Sequence, residues 1–294
     1  MNYQSNTFKR KIKKIDPVTI YICLFIIIIL KFFMYRIVRG ADMTDETFYA
    51  TLAYRLAKGN HILADMWEQC STAAVLPSIL LKIRKILTGN FGGAIVLFFR
   101  LPFLTLNLGA SILLFFSQKN YLNKKYTILL TLFYFIYAPF HMYTFSYNHL
   151  SDLLIMLVIN VTLLALETQK TRLLLISGIF CAFLAFTYPT MLFLCPILAL
   201  LLFLKRSTLK NGWLYFIAGG ISFATLTLIA LLSTIGISGI LVGIKGILLD
   251  PAYNIETIPI DKKIIKAFQY LFTPILGDRS LLIKSKRQIF LRIF

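Results

Sequence analysis

Asp42-Met43-Thr44-Asp45-Glu46 is the acidic interruption around which the rest of this oily chain is organised. It follows a long apolar segment and opens a short helical pattern that stops at Gly59-Asn60. Thr44 suits the N-cap, Asp45 and Glu46 complement the positive end of a helix dipole, and glycine suits the C-terminal stop. Phe48, Leu52 and Leu56 recur at helical spacing on one face, with Thr47, Thr51, Arg55 and Lys58 on the other. That pattern predicts an amphipathic helix lying in the membrane surface, with its carboxylates at the water boundary. Two readings of those carboxylates stand side by side: caps without chemistry, or an active site held over a membrane cavity.

The composition sets the frame for that choice. Of 294 residues, 58% are hydrophobic and 15% charged, and the mean hydropathy is +0.77. Such a chain has too little polar surface to enclose a soluble globule and reads as a multi-span membrane protein. The formal net charge of +19 does not point to nucleic acid. Its Lys and Arg residues gather in short loops between apolar segments, where they set membrane orientation. Cys23, Cys181 and Cys195 lie in apolar segments and Cys70 in a loop, so the spacing gives neither a disulfide framework nor a metal set.

Outward from the acidic stretch, residues 1–16 form a basic, cytoplasmic N-terminus, and Pro17 to Val38 is long enough to span. Residues 39–90 are then extracytoplasmic. Within them, Ala73 to Ile83 is too short to span and, with Lys82, Arg84 and Lys85, predicts a second interfacial helix. Further spans are expected at Phe91 to Phe116, Tyr126 to Phe140, Leu150 to Leu166, Leu173 to Tyr188, Pro189 to Leu204 and Trp213 to Leu232. The fold class is therefore all-α, a polytopic bundle of about seven spans occupying residues 17–235. Beyond Gly236 glycines interrupt the apolar run. Residues 236–294 read as an external or interfacial segment without a final span, as in a truncated chain.

This topology collects Asp42, Asp45, Glu46, Asp65, Glu68 and Asp152 on the outer face, with Arg100 about two or three turns down its span. An ionisable group inside a span costs about 2.5–3.5 kcal/mol on insertion scales, so Arg100 and Asp152 predict either a wet functional cavity or a structural ion pair. His61, His141 and His149 lack metal-ligand spacing, and no phosphate loop, dinucleotide fingerprint or nucleophile elbow is present.

Several short motifs occur in an informative order. Asp45-Glu46-Thr47-Phe48-Tyr49-Ala50 is followed by Leu56-Ala57-Lys58-Gly59, then Asp65-Met66-Trp67-Glu68-Gln69, Phe99-Arg100-Leu101-Pro102 and Tyr147-Asn148-His149-Leu150-Ser151-Asp152. Over about residues 15–235 this order resembles the GT-C membrane glycosyltransferases, notably the aminoarabinose lipid A transferases and protein O-mannosyltransferases. The resemblance implies a GT-C-like bundle that transfers a sugar, with inversion, from a polyprenyl-phosphate donor to an extracytoplasmic acceptor. It implies Asp45 as general base and Asp152 as the residue orienting the acceptor, or a divalent metal if one is used. Arg100, with Lys82, Arg84 and Lys85, would compensate the phosphate charge, while Glu46, Tyr49 and Glu68 shape the site. A lipid-linked donor keeps its tail in the bilayer, which accounts for the missing nucleotide-binding motifs. The expected partners are the bilayer of the cell membrane, the donor lipid and the acceptor. Two other readings remain: a transporter or flippase subunit with Arg100 and Asp152 lining a polar path, and an inactive partial GT-C scaffold.

Overall fold

The computed structural model describes residues 45–66, 68, 70–137, 143–205 and 209–249, together with 31 and 34–35. Apart from residues 31, 34 and 35, the expected first span lies outside the described residues, as do Asp42, the Thr44 cap, Trp67, Gln69, His141 and the stretch after residue 249. Contacts divide the chain into two compact units, residues 1–244 and 245–294, and only the first five residues of the second are described.

Among the described residues every regular element is helical. Helix α1 is Asp45–Lys58, followed by a 3-10 turn Ser71–Ala74, α2 Val75–Thr88, α3 Ile95–Gln118, α4 Lys124–Ile136, α5 Tyr147–Thr168 and α6 Thr171–Thr187. A second 3-10 turn, Pro189–Phe193, leads into α7 Leu194–Leu204 and then α8 Gly212–Leu249. Among the described residues, three stretches are long and apolar enough to cross a membrane: Ile95–Gln118, Tyr147–Thr168 and Gly212–Gly246. They mark the chain as a membrane protein. Helix α4 has 13 residues. At 1.5 Å rise it reaches roughly 20 Å, short of the roughly 30 Å hydrocarbon core. Helices α6 and α7 are likewise apolar but short.

The periodicity around α1 is corrected in one respect. Its buried face carries Glu46, Tyr49, Ala50, Leu52, Ala53 and Leu56, whereas Phe48 is 42% exposed. The helix packs against α2, the first 3-10 turn and α3, so it is part of the protein core and not only a surface float. Tyr49, Leu52, Met66, Leu81, Phe99, Phe145, Leu150 and Leu184 belong to that core. A second cluster, with Val158, Leu174, Cys181, Leu202 and Phe216, lies further along α5 to α8.

Apolar helices in lipid gain little from hydrophobic association, so polar cross-links and close backbone approach fix their packing. Asn107 Nδ2 on α3 donates to the Phe135 carbonyl of α4 at 3.0 Å. Ser117 Oγ donates to Asn160 Oδ1 at 2.8 Å, joining α3 to α5, and Thr162 and Ser177 hydroxyls meet at 2.7 Å between α5 and α6. Helices α6 and α8 touch through glycine: a Cβ at Gly178 would stand 1.9 Å from the Phe216 carbonyl oxygen, and one at Gly219 would stand 2.0 Å from that of Leu175.

Helix α8 breaks at Gly236, whose φ of 66° and ψ of −179° leave the helical region. Glycine adopts this conformation without the Cβ penalty. The glycines beyond Gly236, expected to end the helical pattern, instead sit in a helix that resumes and continues to Leu249.

Candidate functional site

The centre of the site is an ion pair made by two helices. Arg100 projects from the second turn of α3 toward the first turn of α1, where Glu46 meets it end-on. Its Nε donates to Glu46 Oε1 and its Nη2 to Oε2, both at 2.7 Å. Both side chains are buried, at 7% and 1% exposure. Bidentate, charge-assisted pairing of this kind is strong and directional, so it fixes the approach of α1 to α3. The sequence placed Arg100 among candidate phosphate-binding residues and Glu46 among site-shaping ones; here each neutralises the other. Arg100 and Asp152 were alternatively expected to form a structural pair, but the partner Arg100 takes is Glu46.

Asp45 immediately precedes Glu46 and is half-exposed. Its carboxylate makes no hydrogen bond or ion pair with the described residues. Tyr49, one turn further along α1, is buried and places its ring 5.8 Å from that of Tyr147, which in turn lies 5.2 Å from Tyr188. These tyrosines tie together α1, the start of α5 and the end of α6. Thr72 Oγ1 donates to the Phe186 carbonyl, adding the 3-10 turn to the same end of the bundle. Ser146 caps α5 by accepting from the His149 backbone N–H at 3.4 Å. Phe145, just before that cap, is buried between Phe99 and Phe103, at 6.0 and 5.5 Å between ring centroids.

Asp152 lies elsewhere on this assembly. It joins Phe103, Asn107, Tyr134, Tyr137 and His149 around a cavity of about 270 Å³ among α3, α4 and α5. Arg100, Phe103 and Asn107 share one face of α3 at positions i, i+3 and i+7, so Asn107 lies roughly 10 Å beyond Arg100 along the axis.

Glu68 is anchored outside this constellation. Its Oε1 accepts from Arg55 Nη1 at 3.2 Å, while Arg55 Nη2 also donates to the Asp65 carbonyl at 2.9 Å. Asp65 Oδ2 accepts from the His61 backbone at 2.7 Å, closing the turn after α1. Lys82 is exposed on α2. Lys85 lies 5.0 Å over the Phe91 ring. Arg84 lies 4.8 Å over Phe98 at the start of α3 and donates through Nη2 to the Gly93 carbonyl at 3.1 Å. The guanidinium packs so closely on Gly92 that a Cβ there would stand 2.2 Å from Nη2. Arg84 Nη1 is buried with no hydrogen-bond partner among the described residues, which makes it a charge with donor capacity to spare.

Two features escaped sequence reasoning. Cys181 on α6 and Cys195 on α7 approach to 3.1 Å between sulfurs, although their spacing carries no motif. They line an apolar cleft of about 730 Å³ between α6, α7 and α8, with Phe186, Leu192, Phe216 and Phe223. Cys70, by contrast, is alone; burial pushes its thiol up to about 11, the direction expected when an apolar environment disfavours thiolate. No group of three or more His, Cys, Asp or Glu able to hold a metal occurs among the described residues. Comparison with protein-family models, curated proteins and solved structures finds no match for the chain.

Proposed function

We propose that the chain is a polytopic membrane glycosyltransferase, moving a sugar from a polyprenyl-phosphate donor to an acceptor on the extracytoplasmic side of the membrane. The observation that carries this reading is the state of Asp45: it adjoins a buried, mutually neutralised Glu46–Arg100 pair while its own carboxylate stays half-exposed and unpaired among the described residues. A general base needs that combination of fixed position and uncommitted lone pairs. In this mechanism Asp45 takes the proton of the acceptor hydroxyl as its oxygen attacks the anomeric carbon, and the carrier phosphate leaves from the opposite face. Configuration inverts in the single displacement. Asp152 orients the acceptor.

Arg100 then serves as the anchor that sets α1 against α3, and compensation of the phosphate charge passes to Arg84, whose Nη1 has no partner among the described residues, with Lys82 and Lys85 on the same helix. Preorganised cationic donors at a leaving phosphate supply the electrostatic part of such catalysis. The fold proposed for the whole chain is the GT-C-like bundle of about seven spans. The transport reading draws less support, because it needs the Arg100 charge on an open polar path and that charge is buried against Glu46.

The test is sugar transfer by the purified chain from a synthetic polyprenyl-phosphate sugar, comparing wild type with Asp45→Asn. We expect transfer by wild type and a loss of about 10²-fold or more in the variant. Undiminished transfer by Asp45→Asn rejects the base assignment, and solute or lipid movement without transfer in proteoliposomes favours the transport reading.

A further inference from the structure

We infer that the cavity among α3, α4 and α5 is a recognition site for a small organic ammonium group, with Asp152 as its counter-charge. The inference deepens the transferase reading by naming a chemical class for the molecule that Asp152 orients, but it concerns binding and is tested without turnover.

The chemistry of the lining is specific. Asp152 belongs to a helix long and apolar enough to cross a membrane, and neither a Lys nor an Arg lines the cavity. Asp152 is exposed and no hydrogen bond or ion pair joins its carboxylate to a described residue, although His149, one turn earlier, acts on it electrostatically as a cation. A carboxylate in a membrane-embedded helix is costly unless it meets a counter-charge or a wet cavity. Around it stand the rings of Phe103, Tyr134 and Tyr137, whose negative π-faces attract cations. Asn107 donates one of its two amide N–H groups to the Phe135 carbonyl, which leaves its other N–H and its carbonyl oxygen, an acceptor, for a ligand. His149, one turn before Asp152, is held by Ser146 and by an edge contact with Phe103. Carboxylate, amide oxygen and aromatic faces together suit a cation that donates several hydrogen bonds.

Size and ligand count separate an organic ammonium from a metal ion. One carboxylate and one amide oxygen fall short of the six or more oxygens that calcium or magnesium requires. The volume, about 270 Å³, corresponds to about nine waters at roughly 30 Å³ each. It falls just under the range of drug-sized pockets. An amino-sugar ring or an ethanolamine head group fills such a space.

The experiment uses the full chain in nanodiscs of phosphatidylglycerol, titrated calorimetrically with glucosamine and, separately, with glucose. A second arm compares retention of phosphatidylethanolamine and phosphatidylglycerol by native mass spectrometry. The expected result is at least a tenfold preference for the amine in one arm, strongly reduced in Asp152→Asn and partly kept in Asp152→Glu. Preference in the first arm identifies an amino sugar, and in the second a lipid head group. Tyr137→Leu, a change at an exposed ring, should weaken the amine by about threefold with the carboxylate intact, and provides the readout if Asp152→Asn fails to fold. Equal binding of amine and neutral or anionic counterpart in both arms overturns the inference. So does an amine preference unchanged in a folded Asp152→Asn or, should that variant not fold, in Tyr137→Leu. Because Asp45→Asn leaves this cavity intact, failure of transfer and failure of amine binding are separately visible.

Discussion

Replacing Glu46 with Leu leaves the Arg100 guanidinium buried without its bidentate partner, and the size of the penalty follows from the geometry. Two charge-assisted hydrogen bonds of 2.7 Å are lost at once, and with side chains only 1% and 7% exposed water cannot replace them. Removing one member of a buried ion pair costs about 3–5 kcal/mol, whereas replacing both by apolar residues of similar volume is often close to neutral. For a chain of this size about 1 kcal/mol corresponds to roughly 2–4 °C in Tm. Glu46→Leu and Arg100→Met should therefore each lower the Tm in detergent by about 6–20 °C. The double variant should recover most of that loss, so the cycle shows a coupling of about 3 kcal/mol or more. The assay is thermal unfolding followed by circular dichroism, with all four proteins at one detergent concentration. Additive single losses in the double variant, or losses under about 1 kcal/mol, would refute the claim that this pair fixes α1 on α3.

Other expectations are as direct. Gly178→Ala and Gly219→Ala each force a Cβ to within 2.0 Å of a carbonyl oxygen on the facing helix, so each should cost about 1–3 kcal/mol or more as α6 and α8 separate; an unchanged Tm in both would show that the helices do not approach so closely. Cys181 and Cys195, 3.1 Å apart, should cross-link on treatment with a membrane-permeant thiol oxidant. Free thiols then fall by two in a maleimide count after denaturation, and Cys195→Ser abolishes the effect. With its pKa near 11 against an ordinary 9.0, Cys70 at pH 7.5 holds about a hundredth of the usual thiolate fraction. Its alkylation should be slow in the folded chain, faster as pH rises toward 11, and ordinary on unfolding. Arg84→Ala should raise the KM for a polyprenyl-phosphate donor by about tenfold with kcat less affected, read from initial rates; an equal KM excludes Arg84 from phosphate binding.

The membrane character, the helical class and the existence of α1, α3, α5 and α8 were legible in the sequence, because long apolar runs punctuated by basic loops and glycine stops are local signals. Even the change at Gly236 showed as a weakening pattern, although the helix resumes after it. Partnership was not legible. Asp45 and Glu46 are neighbours of the same charge, and nothing in their order says which is buried. Successive residues on a helix point about 100° apart, so the packing of α1 on α3 turned Glu46 inward to Arg100 and left Asp45 half-exposed. Asp152, Asn107 and Tyr134 come from three helices, and Cys181 and Cys195 from two, with separations that carry no motif. The sequence by itself determined which segments are apolar enough to leave water. Only the tertiary structure decided which charges are neutralised and which still face a cavity, because pairing depends on side-chain direction across helices that the chain order leaves open.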